Sequence, residues 1–212
     1  MSAGNFYSRM GEVTMASNES RLRLLGIPGS LRKNAYSTAL LRRVAEELSP
    51  FAEVILWSLA DIPLYNEEHD GEAKPDAVRE FKEAIRASNG LIVSSPEYNY
   101  GMSGVLKNAL DWASRPGYKS VLKDKPVLVM TSSPGALGGV RAQAQLRQTL
   151  AATLSYMHIG PELVVSNIAD KVKEGRFEDE VTLNLILKEA RAFLDRIVRP
   201  STRELDMSTL GT

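Results

Sequence analysis

The residues of this chain whose chemistry goes beyond packing fall in three short stretches. The first is Gly29-Ser30-Leu31-Arg32-Lys33-Asn34-Ala35-Tyr36-Ser37. It leads into a helix-period segment, and a helix start exposes unpaired N–H groups and a positive dipole end that suit an anion such as phosphate. Ser30 and Ser37 can add hydroxyl donors and Arg32 a charge-assisted pair, with Lys33, Asn34 and Tyr36 as further candidate contacts. A plainer reading stands beside it, in which Ser37 or Asn34 caps the helix and Arg32 is solvated. The second stretch, Ser95-Pro96-Glu97-Tyr98-Asn99-Tyr100-Gly101, sets an acid, an amide and two phenols around a tight turn. Two aromatics beside exposed amides suit a flat heteroaromatic ring with polar edges, unless the tyrosines pack back on the core. The third, Thr131-Ser132-Ser133-Pro134-Gly135-Ala136-Leu137-Gly138-Gly139, is small enough to bring backbone close to a ligand or simply to turn the chain; Ser133 and Gly135 are its candidate contacts.

Much chemistry is excluded. There is no cysteine, hence no disulfide, thiolate nucleophile or cysteine metal site. Lys and Arg number 26 against 26 Asp and Glu, so no global field recruits nucleic acid or an anionic membrane. No apolar run approaches the ~18 residues of a membrane span, and residues 1–20 lack the apolar core of a secretory signal, which makes the cytoplasm the expected compartment. His69 and His158 have no partners at metal-ligand spacing, and no metal site is expected. The first stretch matches neither GxxxxGK[ST] nor GxGxxG, which removes support for nucleoside triphosphates and Rossmann dinucleotides.

The elements that must position these stretches alternate. Apolar runs at 22–27, 53–57, 91–93, 126–131 and 159–165 read as strands. Helix-period segments follow at 36–48, from Pro75 to a stop at Gly90, and at 103–114, 139–155 and 178–198. The Glu67-Glu68-His69-Asp70 run reads as a solvated loop, and Lys107 with Asp111 as a solvent-facing helix pair. Strands each followed by a helix imply an α/β domain: a doubly wound, five-stranded parallel sheet of order 2-1-3-4-5. The chemistry-bearing stretches follow strands 1, 3 and 4, which are neighbours in that order, and ligands sit beyond the carboxyl ends of such strands. The three stretches are therefore expected to converge on one pocket. The domain is expected to span 21–199, with a polar arm at 1–20 and a polar tail at 200–212.

Together, Gly29-Ser30-Leu31-Arg32 to Ser37, Asp61-Ile62-Pro63-Leu64-Tyr65, the Pro96-Glu97-Tyr98-Asn99-Tyr100 stretch running into Gly104-Val105-Leu106-Lys107-Asn108-Ala109-Leu110-Asp111-Trp112, and Thr131-Ser132-Ser133 with Gly138-Gly139 resemble the NADPH-dependent FMN reductase family, which includes bacterial chromate and quinone reductases. The resemblance covers about 22–165 and implies a flavodoxin-like fold. It implies FMN as cofactor and NADPH or NADH as donor. It also implies ping-pong hydride transfer to quinones or similar small acceptors, with chromate, azo compounds and free flavin as further options. By the same resemblance Ser30, Arg32, Ser37 and the intervening amides would hold the FMN phosphate. Pro96, Glu97, Tyr98, Asn99 and Tyr100 would border the ring and ribityl chain, and Ser133 the other side. Ala35 departs from the family, whose members often have a small polar residue there. No catalytic side chain is assigned, because the cofactor carries the hard chemistry. A flavodoxin-type electron carrier is the rival, though such carriers usually have a strongly acidic surface; a non-catalytic flavin-binding module is another.

The helix at 103–114 carries two apolar stripes, Val105/Ala109/Trp112 and Leu106/Leu110/Ala113, where a helix lying on a sheet needs one. The surplus leads us to expect a homodimer or homotetramer with this helix in the interface, unless both stripes are packed within the monomer.

Overall fold

The computed structural model describes residues 21–199; the expected arm and tail lie outside the described residues. Strand β1 (Leu22–Pro28) leads to helix α1 (Tyr36–Leu48), where Leu40, Leu41, Val44 and Leu48 recur at helical spacing and are fully buried. Strand β2 (Ala52–Leu56) and helix α2 (Asp76–Ala87) follow, with Val78, Phe81 and Ile85 turned inward. Next come β3 (Gly90–Tyr98), the short β4 (Gly101–Met102), α3 (Gly104–Ala113), β5 (Pro126–Ser132) and α4 (Val140–Ala152). The chain continues through β6 (Tyr156–Met157), β7 (Leu163–Val165), the single-turn α5 (Ile168–Lys171), β8 (Val172–Lys173), β9 (Arg176–Phe177) and α6 (Glu180–Val198).

The main sheet runs β2-β1-β3-β5-β6 with parallel neighbours, and β7 also pairs with β5. This is the expected 2-1-3-4-5 winding. One apolar layer lies under α2, α3 and α4, centred on Phe81, Leu106, Trp112 and Leu146. The other lies under α1 and α6, centred on Leu40, Leu41, Phe177 and Phe193. Both faces of β3 and β5 are thus covered, which explains their nearly continuous apolar runs.

Three expectations are corrected. Gly90 does not stop α2, which ends at Ala87; it opens β3, where a Cβ would lie 3.0 Å from Ile197 Cδ1 and 3.1 Å from Phe193 Cζ of α6. Its glycine identity answers to close packing, not to helix termination. The expected fifth strand is split, because Gly160-Pro161 interrupts it and proline has no N–H for the ladder. The second chemistry-bearing stretch is mostly strand. β3 runs on to Tyr98 and folds back antiparallel onto β4, pairing Glu97 with Met102 and Tyr98 with Gly101. The turn is Asn99-Tyr100 with φ of 48° and 65°, the positive pair of a tight two-residue hairpin. The short α5 and the β8–β9 hairpin were not foreseen, since elements of two to four residues carry no measurable periodicity.

The Val105/Ala109/Trp112 stripe of α3 is met through Trp112 by residues 59–65 of the same chain. Trp112 is fully buried, and its Nε1–H donates to the Pro63 carbonyl at 2.8 Å. Asn108 Nδ2 donates to the same oxygen at 2.8 Å while Asn108 Oδ1 accepts the Tyr65 N–H at 2.7 Å. Tyr65 meets Trp112 edge-on, ring centroids 4.9 Å apart. The surplus from which an interface was inferred is satisfied inside the fold. Lys107 and Asp111 do pair on the outer side, at 2.7 Å.

Candidate functional site

The carboxyl ends of β1, β3 and β5 lie side by side, with Pro28 opposite Ser94 and Pro96 opposite Ser132. Buried serines lock the first loop onto this edge. Gly29 N–H donates to the Ser94 carbonyl at 2.8 Å, and its own carbonyl accepts Ser103 Oγ–H at 2.5 Å. Ser94 Oγ–H donates to the Ser37 carbonyl at 2.9 Å. A Cβ on Gly29 would lie 3.2 Å from Ser95 Cα, so the close approach of loop and strand calls for glycine. Ser94 and Ser103 escaped sequence reasoning; their one signal is a hydroxyl where a buried strand or helix start would otherwise be apolar.

Within that loop Ser30 Oγ accepts the Arg32 N–H at 3.3 Å, and the Ala35 N–H donates back to the Arg32 carbonyl at 3.2 Å. Arg32 lies over the Tyr36 ring, 5.8 Å from its centroid. Ala35 occupies the N-cap of α1 and offers no side-chain acceptor. The amides of Tyr36 and Ser37 accordingly have no protein acceptor among the described residues. Ser37 is 1% exposed and its Oγ has no hydrogen-bond partner. A buried hydroxyl left unpaired costs roughly 1–3 kcal/mol, so its position points to a ligand atom. The alternative of Ser37 or Asn34 as helix cap is not what the fold builds.

The hairpin supplies the facing wall. Tyr98 and Tyr100 are exposed and do not fold back on the core. Glu97 points elsewhere: its Oε2 accepts the N–H groups of Arg141 and Ala142, each at 3.0 Å, and so caps α4 from a neighbouring strand. Arg141 in turn lies over the Tyr100 ring at 4.2 Å. In the third loop Ser133 Oγ is engaged by the Gly135 N–H at 3.1 Å, and the Gly135 carbonyl accepts the Asn167 N–H at 3.2 Å. Gly138 has φ 62° and lies so close to β7 that a Cβ would come within 2.9 Å of Ser166 N.

The resulting concavity is lined by Ser30, Arg32, Ala35, Tyr36, Ser37, Pro96, Glu97, Tyr98, Ser132, Pro134 and Ile168. Asn99 and Tyr100 stand at the hairpin tip beside it, Ser133 and Gly135 on the third loop, and Lys33 and Asn34 on the solvent side of the first. Ser132, Pro134 and Ile168 were not anticipated; Ile168 belongs to the overlooked α5. Wider concavities occur between α3 and α4 and at the amino end of the sheet. The one at the carboxyl ends stands out by its free amides and buried hydroxyl, not by its size. Groups with displaced pKa values lie away from it. Burial pushes Lys82 down to about 8, and the Lys171 ammonium with the Thr182 amide holds Asp179 at about 2. His158 is buried and bonded through Nε2 to Glu189 at 2.9 Å.

Residues 22–170 match the model of the family described as NADPH-dependent FMN reductase. The chain belongs to that family. The chain is 39% identical over 172 residues to an NAD(P)H-dependent FMN reductase of Pseudomonas aeruginosa, covering 81% of this chain and 92% of the relative. It is 36% identical over 184 residues to a quinone reductase of Escherichia coli, covering 84% and 97%. Among solved structures it resembles FerB, a flavoenzyme NAD(P)H:(acceptor) oxidoreductase of Paracoccus denitrificans, with TM-score 0.76, 31% identity and coverage of 84% and 98%. The fold of the chain is flavodoxin-like. The residues present fit an FMN phosphate: an orphaned buried hydroxyl at Ser37, two free amides at a helix start and a guanidinium at Arg32 meet in one loop. Ala35 contributes only its backbone.

Proposed function

We propose that this chain is an FMN-dependent NAD(P)H oxidoreductase whose acceptors are quinones or similarly small oxidants. The observation that carries the reading is the buried, unpartnered Ser37 hydroxyl beside the free amides of α1, set between β1 and the Tyr98 hairpin. The names of the relatives support the same reading. Bound FMN would accept hydride from a nicotinamide and deliver two electrons to the acceptor. The protein's own part is positional. Ser30, Arg32, Ser37 and the amides of Tyr36 and Ser37 hold the phosphate, and Pro96, Tyr98 and Tyr100 border the ring. Glu97 contributes by rigidity, because its carboxylate is committed to α4. Neither proton transfer nor nucleophilic attack is asked of a side chain.

Holoprotein reconstituted with FMN, mixed with NADPH or NADH and a benzoquinone, should consume nucleotide and quinone one to one. Tight flavin binding with negligible nucleotide oxidation would move the assignment to an electron carrier or a passive flavin module. The balanced charge of 26 against 26 argues against an acidic carrier surface.

Among the described residues no helix is long and apolar enough to cross a membrane. A cytoplasmic setting, where the nucleotide donor is plentiful, belongs to the proposal. So does association as a homodimer or homotetramer, with α3 offering its outer edge of Val105, Lys107 and Asp111 in place of Trp112. Light scattering on the holoprotein tests it: a clean monomer at micromolar concentration defeats that part alone.

A further inference from the structure

We infer that Arg141, lying over the Tyr100 ring, is the anchor for a phosphate of the incoming nicotinamide dinucleotide. The inference rests on the reductase reading above and names a residue that selects the donor.

The pair is built from two elements that are fixed to each other. Tyr100 sits at the hairpin tip with φ 65°, a conformation that is costly for a bulky side chain and persists when neighbours enforce it. Enforcement comes from α4. Gln145 Oε1 accepts the Met102 N–H at 2.7 Å, and Gly101 passes so near that a Cβ would lie 2.6 Å from the same oxygen. Glu97, on the other strand of the hairpin, takes the first amides of α4. The start of α4, which carries Arg141, is thereby fixed relative to the hairpin that carries Tyr100.

The guanidinium carbon lies 4.2 Å from the Tyr100 ring centroid, and a guanidinium held over a ring can keep N–H groups free for bidentate contact with a phosphate. The nearest carboxylate, Glu97 Oε1, is 3.9 Å from Arg141 Nη1, beyond hydrogen-bond length, and Glu97 already serves two backbone donors. The Arg141 side chain is 46% exposed, so a cation lies open but held at the edge of the concavity. Holding it in advance removes part of the ordering cost of binding. Arg32 sits on the first loop, at the proposed flavin phosphate site, whereas Arg141 stands on the hairpin side, beside the Glu97 that lines the concavity.

A dinucleotide offers this chemistry from two sources, the bridging pyrophosphate and, in NADPH, the 2′-phosphate. The test is Arg141→Ala in the FMN-loaded protein, with Arg141→Lys as the variant that keeps the charge and loses the fork. Two readouts are taken: KM for NADH and for NADPH, and, without turnover, calorimetric titration with NADP⁺. Losing a hydrogen bond to a charged group should raise KM and weaken NADP⁺ binding roughly ten- to hundredfold, with Arg141→Lys between. A rise for both nucleotides assigns the pyrophosphate, and a rise for NADPH alone assigns the 2′-phosphate; either upholds the anchor. Unchanged KM and NADP⁺ affinity, with at most a lower Tm, overturn it and leave Arg141 a structural partner of Tyr100. A parent that binds NADP⁺ but reduces nothing refutes the reductase reading while the titration still scores Arg141. A parent without nucleotide affinity overturns both.

Discussion

The carboxylate of Glu97 and the backbone N–H of Ala142 lie 3.0 Å apart, so an acid at a strand end caps a helix that begins more than forty residues later. The N-cap residue itself is Gly139, with φ 86° and no side chain to serve α4. Replacing an N-capping acceptor costs about 0.5–2 kcal/mol, and a carboxylate at a helix N-terminus adds a few tenths through the dipole. Glu97→Ala should therefore lower apoprotein stability by ~1–2 kcal/mol in urea denaturation, and Glu97→Gln should recover much of the loss. An unchanged midpoint in Glu97→Ala would mean that the cap contributes nothing.

Pro63 presents one carbonyl to two donors of α3, Asn108 Nδ2 and Trp112 Nε1. Asn108→Ala also strands the Tyr65 N–H, which Asn108 Oδ1 now accepts. Destabilisation of ~1–3 kcal/mol is expected from an unsatisfied donor. Trp112→Asp buries a charge at a fully buried position and should abolish folding instead of changing assembly mass. A folded Trp112→Asp protein by circular dichroism would contradict the placement of the 59–65 segment over α3.

At the phosphate loop, two substitutions separate charge from hydroxyl. Arg32→Ala should weaken FMN binding by one to two orders of magnitude, since hydrogen bonds to charged groups are worth ~1.5–3 kcal/mol. Ser37→Ala should weaken it roughly three- to tenfold without lowering apoprotein stability, because the Oγ has no protein partner to lose. Flavin fluorescence titration measures both. Equal affinity in Ser37→Ala would remove the central support for the site.

Ala35→Ser tests the family departure directly. The position is the N-cap of α1 and 4% exposed, so a serine there should stabilise α1 by about 0.5–2 kcal/mol. It should also tighten FMN binding. A looser flavin would show that Ala35 is required by space.

Two groups set the pH response. Asp179 is held at about 2, below the ordinary carboxylate range, by Lys171 and by the Thr182 amide it caps. A depressed acid contributes stability above its unfolded pKa, and that contribution should disappear as pH falls from about 4 towards 2. Lys82 is held at about 8 by burial, with its ammonium on the Arg115 carbonyl at 2.6 Å. The unfolded chain binds its proton more tightly, so stability should rise with pH between about 8 and 10. Asp179→Asn should flatten the acid limb and Lys82→Met the alkaline rise in urea midpoints against pH; unaltered limbs would refute the assignment.

Local pattern determined a good deal by itself. Leu40, Leu41, Val44 and Leu48 mark α1 to its observed ends, and the apolar runs of β1, β3 and β5 specify a buried parallel sheet, because burial periodicity is written into adjacent residues. Winding order then brought the three chemistry-bearing stretches to one edge. Tertiary structure decided the rest. Gly90 was read as a helix stop, since nothing nearby in sequence announces that Phe193 and Ile197 press against it. Glu97 was grouped with the tyrosines beside it, although its partners are amides of α4. The surplus stripe of α3 suggested a second copy, whereas the 59–65 segment already covers it. In each case the deciding contact joins residues more than forty apart in the chain, and such contacts depend on how the sheet winds and packs, which local periodicity does not encode.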